Sequence, residues 1–163
     1  MESSIDAGIA VAFVVLLAWA AWGDIRTYRI SNRLVAAFLF LFVAALAAGS
    51  IPWASIIGHL GAGAFALAFG LILFARNWIG GGDAKLFAAL ALWAGWPDLV
   101  RLAIVMALAG GVLSILQLIR SRGTESGPEN ESSFRRPVPY GVAIALAGFD
   151  FWVRKLAVPI LLT

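Results

Sequence analysis

Residues 66–95 read ALAFGLILFARNWIGGGDAKLFAALALWAG, and this stretch decides the fold class. Two apolar runs flank a short polar break that contains three consecutive glycines followed by Asp83. Apolar runs that approach 20 residues are typical of helices that cross a lipid bilayer. A second aspartate, Asp24, lies at the inner end of the first apolar run. Because ionisable residues at membrane depth are costly, both aspartates are candidate functional residues.

The composition indicates that lipid surrounds most of the chain. Hydrophobic residues make up 62% of the sequence and charged residues 13%, against about 45–50% and about 25% in a typical soluble domain. A chain of 163 residues is too small to bury this much apolar surface in its own core. We therefore expect the lipid bilayer to be the main partner of the chain.

Several kinds of site are excluded by residue counts. The chain has no cysteine, which excludes disulfide frameworks, cysteine nucleophiles and thiolate zinc sites. Its single histidine, His59, excludes a metal site built from several histidines. We expect no metal, no cofactor and no nucleic-acid partner.

Short polar breaks divide the chain into six apolar segments. The predicted helices span residues 5–22, 34–49, 55–74, 84–96, 99–119 and 140–153. The sequence thus predicts an all-α, polytopic membrane protein with about six transmembrane helices. We find no internal repeat and expect one membrane-embedded domain over residues 1–163. The N-terminus lacks the basic region of a cleavable signal peptide, so the first helix is expected to remain in the mature protein. Residues 121–133 read as a flexible linker.

The basic residues predict the orientation of these helices. Nine lysines and arginines lie in the breaks after the first, third and fifth helices, and three lie on the opposite side. Under the positive-inside rule, the three basic breaks face the cytoplasm and both termini lie outside. Asp24 and Asp83 then lie on the same, cytoplasmic side.

Each aspartate also has a purely structural explanation. Asp83 follows three glycines and opens a helix, where a carboxylate caps free backbone N–H groups. Asp24 lies near the C-terminal end of a helix, where a negative charge is disfavoured, although Arg26 and Arg29 can compensate. These helix ends predict an ionised Asp83 and a protonated Asp24.

Paired carboxylates of this kind are what an aspartyl protease requires. One carboxylate takes a proton from the attacking water, while its protonated partner polarises the peptide carbonyl. Mutual repulsion keeps the two in unlike protonation states. Gly80, Gly81 and Gly82 lack side chains, so the substrate backbone can approach closely and the enzyme backbone can take non-helical angles.

Three motifs together resemble those of type IV prepilin peptidases, the bacterial GxGD aspartyl proteases. They are Asp24 in a basic first cytoplasmic turn, the run from Gly80 to Lys85 that matches Gly-x-Gly-Asp plus a lysine, and Pro139-Tyr140-Gly141 at the start of the last helix. The chain resembles in particular the short enzymes of Flp, or tight-adherence, pilus systems. This resemblance covers nearly the whole chain.

The resemblance implies a function and a set of site residues. Such enzymes cut the positively charged leader from prepilins and pseudopilins at the cytoplasmic face of the bacterial inner membrane. The family assigns catalysis to the aspartates that match Asp24 and Asp83. By the same resemblance, the substrate-binding or active-site loop comprises Gly80, Gly81, Gly82, Lys85, Pro139, Tyr140 and Gly141.

The chain departs from the family pattern in two respects. Members often read Ile-Pro-Asn after the first aspartate, where this chain has Ile30-Ser31-Asn32. We expect Ser31 to change how the second helix begins rather than the chemistry. Long members carry a cysteine-bearing cytoplasmic segment and N-methylate the new pilin terminus. This chain has neither that segment nor any cysteine, so peptidase activity without methyltransferase activity is the interpretation.

Other functions remain open at this stage. A small proton-coupled transporter would use the same two aspartates as a proton relay, and a non-catalytic assembly subunit would use neither. A serine protease built on Ser55 and His59 is disfavoured, because no nucleophile-elbow sequence accompanies them. The small residues near Gly61 and Gly110 are interpreted as sites of close helix packing.

Overall fold

The described residues, 2–122 and 140–161, form five α-helices in this structure, which is a computed structural model. The helices are α1 (Glu2–Thr27), α2 (Asn32–Ala47), α3 (Ile56–Ala75), α4 (Gly81–Arg122) and α5 (Tyr140–Leu161), with a short 3-10 turn (Trp53–Ser55) ahead of α3. Within residues 2–122 and 140–161, three segments are long and apolar enough to cross a membrane: Asp6–Thr27, Trp53–Ala75 and Gly81–Ile119. The prediction of an all-α membrane protein is confirmed, and the number of spans stays a prediction.

The fourth and fifth predicted helices form one element with a sharp break. Within α4, Gly95 has a φ of 66° and a ψ of −177°, which glycine adopts without strain, and Pro97 follows in the same turn. Proline has no N–H to donate to the preceding turn. The break at Gly95 also leaves the Leu92 carbonyl without its helical donor, the N–H four residues on. This carbonyl oxygen lies 2.8 Å from Nδ1 of His59, which must carry the hydrogen because a carbonyl only accepts. His59 is therefore a structural residue of this break.

The break reverses the direction of α4. In the first part, residues 81–94, Leu90 lies near Gly148 and Trp93 near Trp152, so this part runs parallel to α5. In the second part, residues 97–122, the order of contacts with α5 is opposite: Asp98 with Arg154, Arg101 with Asp150, and Gly110 with Tyr140. The predicted separation into two helices is thus present as two antiparallel parts of α4.

Several helix ends differ from the predicted ones. Helix α1 continues five residues beyond the predicted end, and the Thr27 hydroxyl donates a hydrogen bond to the Gly23 carbonyl at 2.8 Å in its last turn. Asp24 therefore lies inside the helix. Ser31 caps α2, because its hydroxyl accepts a hydrogen bond from the Leu34 N–H at 3.3 Å. Helix α5 runs on to residue 161, and the predicted linker lies mostly outside the described residues.

An aromatic cluster joins α1, α2, α4 and α5 at the end of the bundle away from Asp83. Phe13 is fully buried, with its ring centroid 4.6 Å from that of Trp152, 4.9 Å from that of Trp93 and 5.4 Å from that of Phe38. The Trp93 indole N–H donates to the Phe38 carbonyl at 3.1 Å. Edge and stacked aromatic pairs stabilise beyond the area they bury, so this cluster fixes the relative positions of the four helices.

Small residues bring α3 against the first part of α4. A Cβ added at Gly63 would lie 3.1 Å from Leu92, and one at Gly70 would lie 3.0 Å from Ala84. Helices in lipid associate through such van der Waals packing rather than through the hydrophobic effect. The predicted packing role is confirmed at Gly61 and Gly110 and is wrong at Gly111, which has no such neighbour within 4 Å.

We expect Trp93→Ala to lower the free energy of unfolding by about 3 kcal/mol or more. The change removes a buried ring that packs on Phe13, together with its hydrogen bond to the Phe38 carbonyl. Trp53→Ala, at an exposed tryptophan, is the matched control and is expected to change it little. If the two variants lost equal free energy of unfolding, measured in detergent, the cluster would have no special role in stability.

Candidate active site

Asp24 is buried, with 3% of its surface exposed, although it belongs to the last turns of α1. Its Oδ2 accepts a hydrogen bond from the Val142 N–H at 3.3 Å, and the Gly141 N–H also donates to this carboxylate. These N–H groups belong to the first turn of α5 and have no acceptor within their own helix. The N-terminus of α5 therefore supplies the positive end of a helix dipole to Asp24.

Gly141 is required at this point because the side chains of Asp24 and Ile30 lie directly against it. A Cβ on Gly141 would lie 2.8 Å from Cγ of Asp24 and 2.7 Å from Cδ1 of Ile30. The ring of Tyr140 lies against Gly110 in α4. The structure thus brings Tyr140 and Gly141 to the site, while Pro139 lies outside the described residues.

Asp83 occupies the first turn of α4 and is partly buried. Its carboxylate accepts a hydrogen bond from the Gly80 N–H, while the Ala84 N–H donates to the Gly80 carbonyl at 3.1 Å. The second bond is the first helical bond of α4, and the first is the half of a capping box that a glycine at the N-cap allows. The Asp83 carboxylate therefore caps the start of α4, which is the structural role that the sequence offered for it. Asp83 also lines a cavity.

The glycines of the run allow close packing. Among the described residues, the glycines with positive φ are Gly49 and Gly95, so Gly80 to Gly82 have no left-handed backbone angles. Gly80 precedes α4, and Gly81 and Gly82 belong to its first turn. A Cβ on Gly82 would lie 2.9 Å from Cβ of Ile30, and one on Gly81 would lie 3.2 Å from the Phe74 ring. A side chain at either position would displace its neighbour.

Ile30, which the sequence interpretation missed, lies between the two aspartate segments. It contacts Gly82 on one side and Gly141 on the other. The turn that holds Ile30 follows Asp24 directly, and the Tyr28 N–H donates to the Asp24 carbonyl at 2.8 Å. The sequence contains one indication of this role, namely that Ile30 opens the Ile30-Ser31-Asn32 segment, which follows the first aspartate.

Lys85 extends from α4 to the start of α2. Its Nζ donates a hydrogen bond to Oδ1 of Asn32 at 3.1 Å. This contact lies beside that between Ile30 and Gly82. Lys85 therefore lies at the aspartate end of the bundle, where its ammonium group contacts the first residue of α2.

The two aspartates lie at the same end of the bundle and interact electrostatically. Each carboxylate meets N–H groups at the start of a helix, Asp24 those of α5 and Asp83 that of Gly80. Helix ends therefore do not distinguish the two, and the prediction of a protonated Asp24 loses its basis. The Arg26 guanidinium, expected to compensate Asp24, lies 4.3 Å over the centroid of the Trp22 ring.

A cavity of about 700 Å³ opens beside Asp83, between α3, the second part of α4 and the start of α5. Apolar side chains line it almost throughout, among them Phe69, Ile104 and Ile144. Within the described residues, Asp83 is its one charged lining residue. No group of three or more His, Asp or Glu side chains that could hold a metal ion occurs in residues 2–122 and 140–161.

Comparison with known proteins agrees with this arrangement. The type IV leader peptidase family matches residues 11–115, which include both aspartates. A prepilin leader peptidase/N-methyltransferase of Stutzerimonas stutzeri is 32% identical over 104 residues, 64% of this chain and 32% of that protein. Leader peptidase HopD of Escherichia coli is 36% identical over 102 residues, 60% of this chain and 57% of that protein.

A prepilin leader peptidase/N-methyltransferase of Bacillus subtilis is 32% identical over 138 residues, 83% of this chain and 51% of that protein. The matches thus span between about a third and somewhat over half of these relatives. No solved structure matches the chain. Since the family match covers most of the chain and contains both candidate aspartates, the chain belongs to the type IV leader peptidase family.

Proposed function

We propose that this protein is a membrane aspartic endopeptidase that removes the leader peptide from type IV prepilins. Asp24 and Asp83 form the catalytic pair in this proposal. One carboxylate accepts a proton from water as it attacks the scissile carbonyl, and the other, protonated, donates a hydrogen bond to that carbonyl oxygen. The same groups then return a proton to the leaving amine.

The observation that carries the proposal is the convergence of two carboxylates from distant helices. Asp24 and Asp83 lie 59 positions apart in the sequence, yet Ile30 contacts both Gly82, which precedes Asp83, and Gly141, against which Asp24 packs. Two nearby carboxylates favour unlike protonation states, which gives one acid and one base. They titrate as a coupled pair, so either can fill either role.

The cavity beside Asp83 supports a peptide substrate with an apolar stretch. Its apolar walls lie between α3 and the second part of α4, and Asp83 marks one end. An apolar segment seated there would bring its polar, cleavable end to the carboxylate. This agrees with the relatives of the chain, which are named prepilin leader peptidase/N-methyltransferases.

The proposal also covers the membrane location of the protein and the type of prepilin that it cleaves. We propose one membrane-embedded domain over residues 1–163, placed in the bacterial inner membrane with the aspartates at the cytoplasmic face and both termini outside. Basic residues concentrated at the aspartate end support this orientation. The substrates are proposed to be Flp-type prepilins and pseudopilins. The absence of cysteine supports peptidase activity without N-methyltransferase activity.

Asp24→Asn and Asp83→Asn are each expected to slow prepilin cleavage in proteoliposomes by at least about 100-fold, because an amide replaces neither acid nor base. Asp150→Asn, which alters an ion pair with Arg101 at the opposite end, is the control and keeps its activity. The Asp24→Asn and Asp83→Asn proteins must match the wild type in gel-filtration elution volume and melting temperature, so that lost activity does not reflect lost folding. Substantial cleavage by either would remove that aspartate from the mechanism.

Gly141→Ala is expected to lower cleavage by about 10-fold or more, because a methyl group there collides with Asp24 and displaces it. Gly111→Ala, where the added methyl group meets open space, is the matched control. The readouts are the cleavage rate and the melting temperature of each variant. A Gly141→Ala protein with wild-type turnover would show that the close approach is unnecessary.

Single cysteines test the orientation without a substrate, since the chain has none of its own. Cysteines at Ser31 and Ala75, both exposed at the aspartate end, are expected to react only with a reagent that reaches the cytoplasm. One at the exposed Ala54, at the other end, is expected to react with an impermeant external reagent. Labelling of Ser31 and Ala75 from opposite sides would contradict the shared active-site face.

A further inference from the structure

The separation of the two carboxylates is set by intermediary segments rather than by direct packing of their helices. The backbones of α1 and α4 approach each other at few points, and each helix packs mainly on other elements. Asp24 is held by the start of α5, and Asp83 by its own Gly80 cap. The aromatic cluster does join α1 to α4 through Phe13 and Trp93, but these rings lie about ten residues along the chain from the aspartates. A contact at the aspartate end must therefore hold the Asp83 segment in register with Asp24.

The turn between α1 and α2, residues 28–31, provides that contact. It begins four residues after Asp24, and its Ile30 lies between Gly82 and Gly141. Gly82 precedes Asp83 directly, so a movement of this turn relative to α4 changes the position of one carboxylate against the other. Packing against Ile30 alone limits approach, but it does not resist separation.

The hydrogen bond from Lys85 to Asn32 resists separation. Lys85 lies two residues after Asp83, and Asn32 is the first residue of α2, held by the Ser31 cap. A bond from an ammonium group to a neutral amide is charge-assisted. An amide acceptor also avoids a third carboxylate beside the two aspartates.

We propose that Lys85 and Asn32 are positioning residues that hold the start of α4 against the turn after Asp24 and so set the separation of the two carboxylates. This inference rests on the proposed peptidase function. Neither residue needs to contact the substrate. Ile30 limits how closely the segments approach, and the Lys85–Asn32 bond keeps them from moving apart.

Cleavage kinetics of four variants test this role. Lys85→Met and Asn32→Leu are each expected to lower kcat by about 10- to 100-fold through misplacement of a carboxylate, with KM nearly unchanged. The double variant is expected to be no slower than the slower single variant, because both changes break one contact. Lys85→Arg, which keeps a charged donor, is expected to recover most of the rate.

The matched control is Arg33→Met, which removes an exposed charge one residue from Asn32 and is expected to keep wild-type kinetics. The pH–rate profile of Lys85→Met is expected to change shape, since the coupling of two carboxylates depends on their separation. A raised KM, additive losses in the double variant, or a fully active Asn32→Leu would each overturn the proposal.

A distance measurement tests the contact independently of any substrate. A protein with two introduced cysteines, at the exposed positions Arg29 and Trp78, carries one spin label on each. The distribution of distances between the labels reports the separation of the turn that contains Arg29 from the loop before Gly80. Lys85→Met is expected to broaden or lengthen this distribution, and Lys85→Arg to leave it unchanged. An unchanged distribution in Lys85→Met would overturn the positioning role. A wild-type protein inert towards prepilins would instead refute the peptidase function alone.

Discussion

The structure depends on the hydrogen bonds that the start of α5 donates to the buried carboxylate of Asp24. A buried charge without donors carries a large desolvation cost, and the side chain of Asp24 is almost fully enclosed. The N–H groups of Gly141 and Val142 meet this requirement. For them to do so, α5 must begin at Tyr140, Gly141 must lack a side chain, and α1 must extend beyond the apolar run that the sequence displays. The aromatic cluster around Phe13 keeps α1 and α5 antiparallel, so that their ends meet at this point.

The reversal of α4 has a similar importance for the cavity. Only because the chain turns at Gly95 does the second part of α4 return to the aspartate end and form a wall of the cavity beside Asp83. His59 donates to the Leu92 carbonyl at the break, which accounts for the single histidine without any role in chemistry. The ion pairs of Asp98 with Arg154 and of Arg101 with Asp150 then join the returning part to α5.

Much of this arrangement could be predicted from the sequence, because apolar runs and their polar breaks are local features. They gave the fold class, the break before Pro97 and the position of Asp83 at the start of a helix. The partner of Asp24 lies 118 positions away, and no local pattern reports it. Ile30 resembles any other apolar residue in a chain where lipid-facing and packed positions are equally apolar. Glycine needed for close packing and glycine needed for positive φ also look alike, so the sequence left both explanations open for Gly82 and did not indicate that Ile30 is its neighbour.

The use of backbone atoms to hold Asp24 affects which sequences can support the site. An N–H group is present in every residue except proline, so the side chain at Val142 is free to vary as packing allows. A search for the partner of this aspartate that considers only charged or polar side chains would find nothing at Val142. The constraint falls instead on the neighbouring Gly141 and on where α5 begins. Relatives can thus share this hydrogen bond while their sequences at the donor position differ.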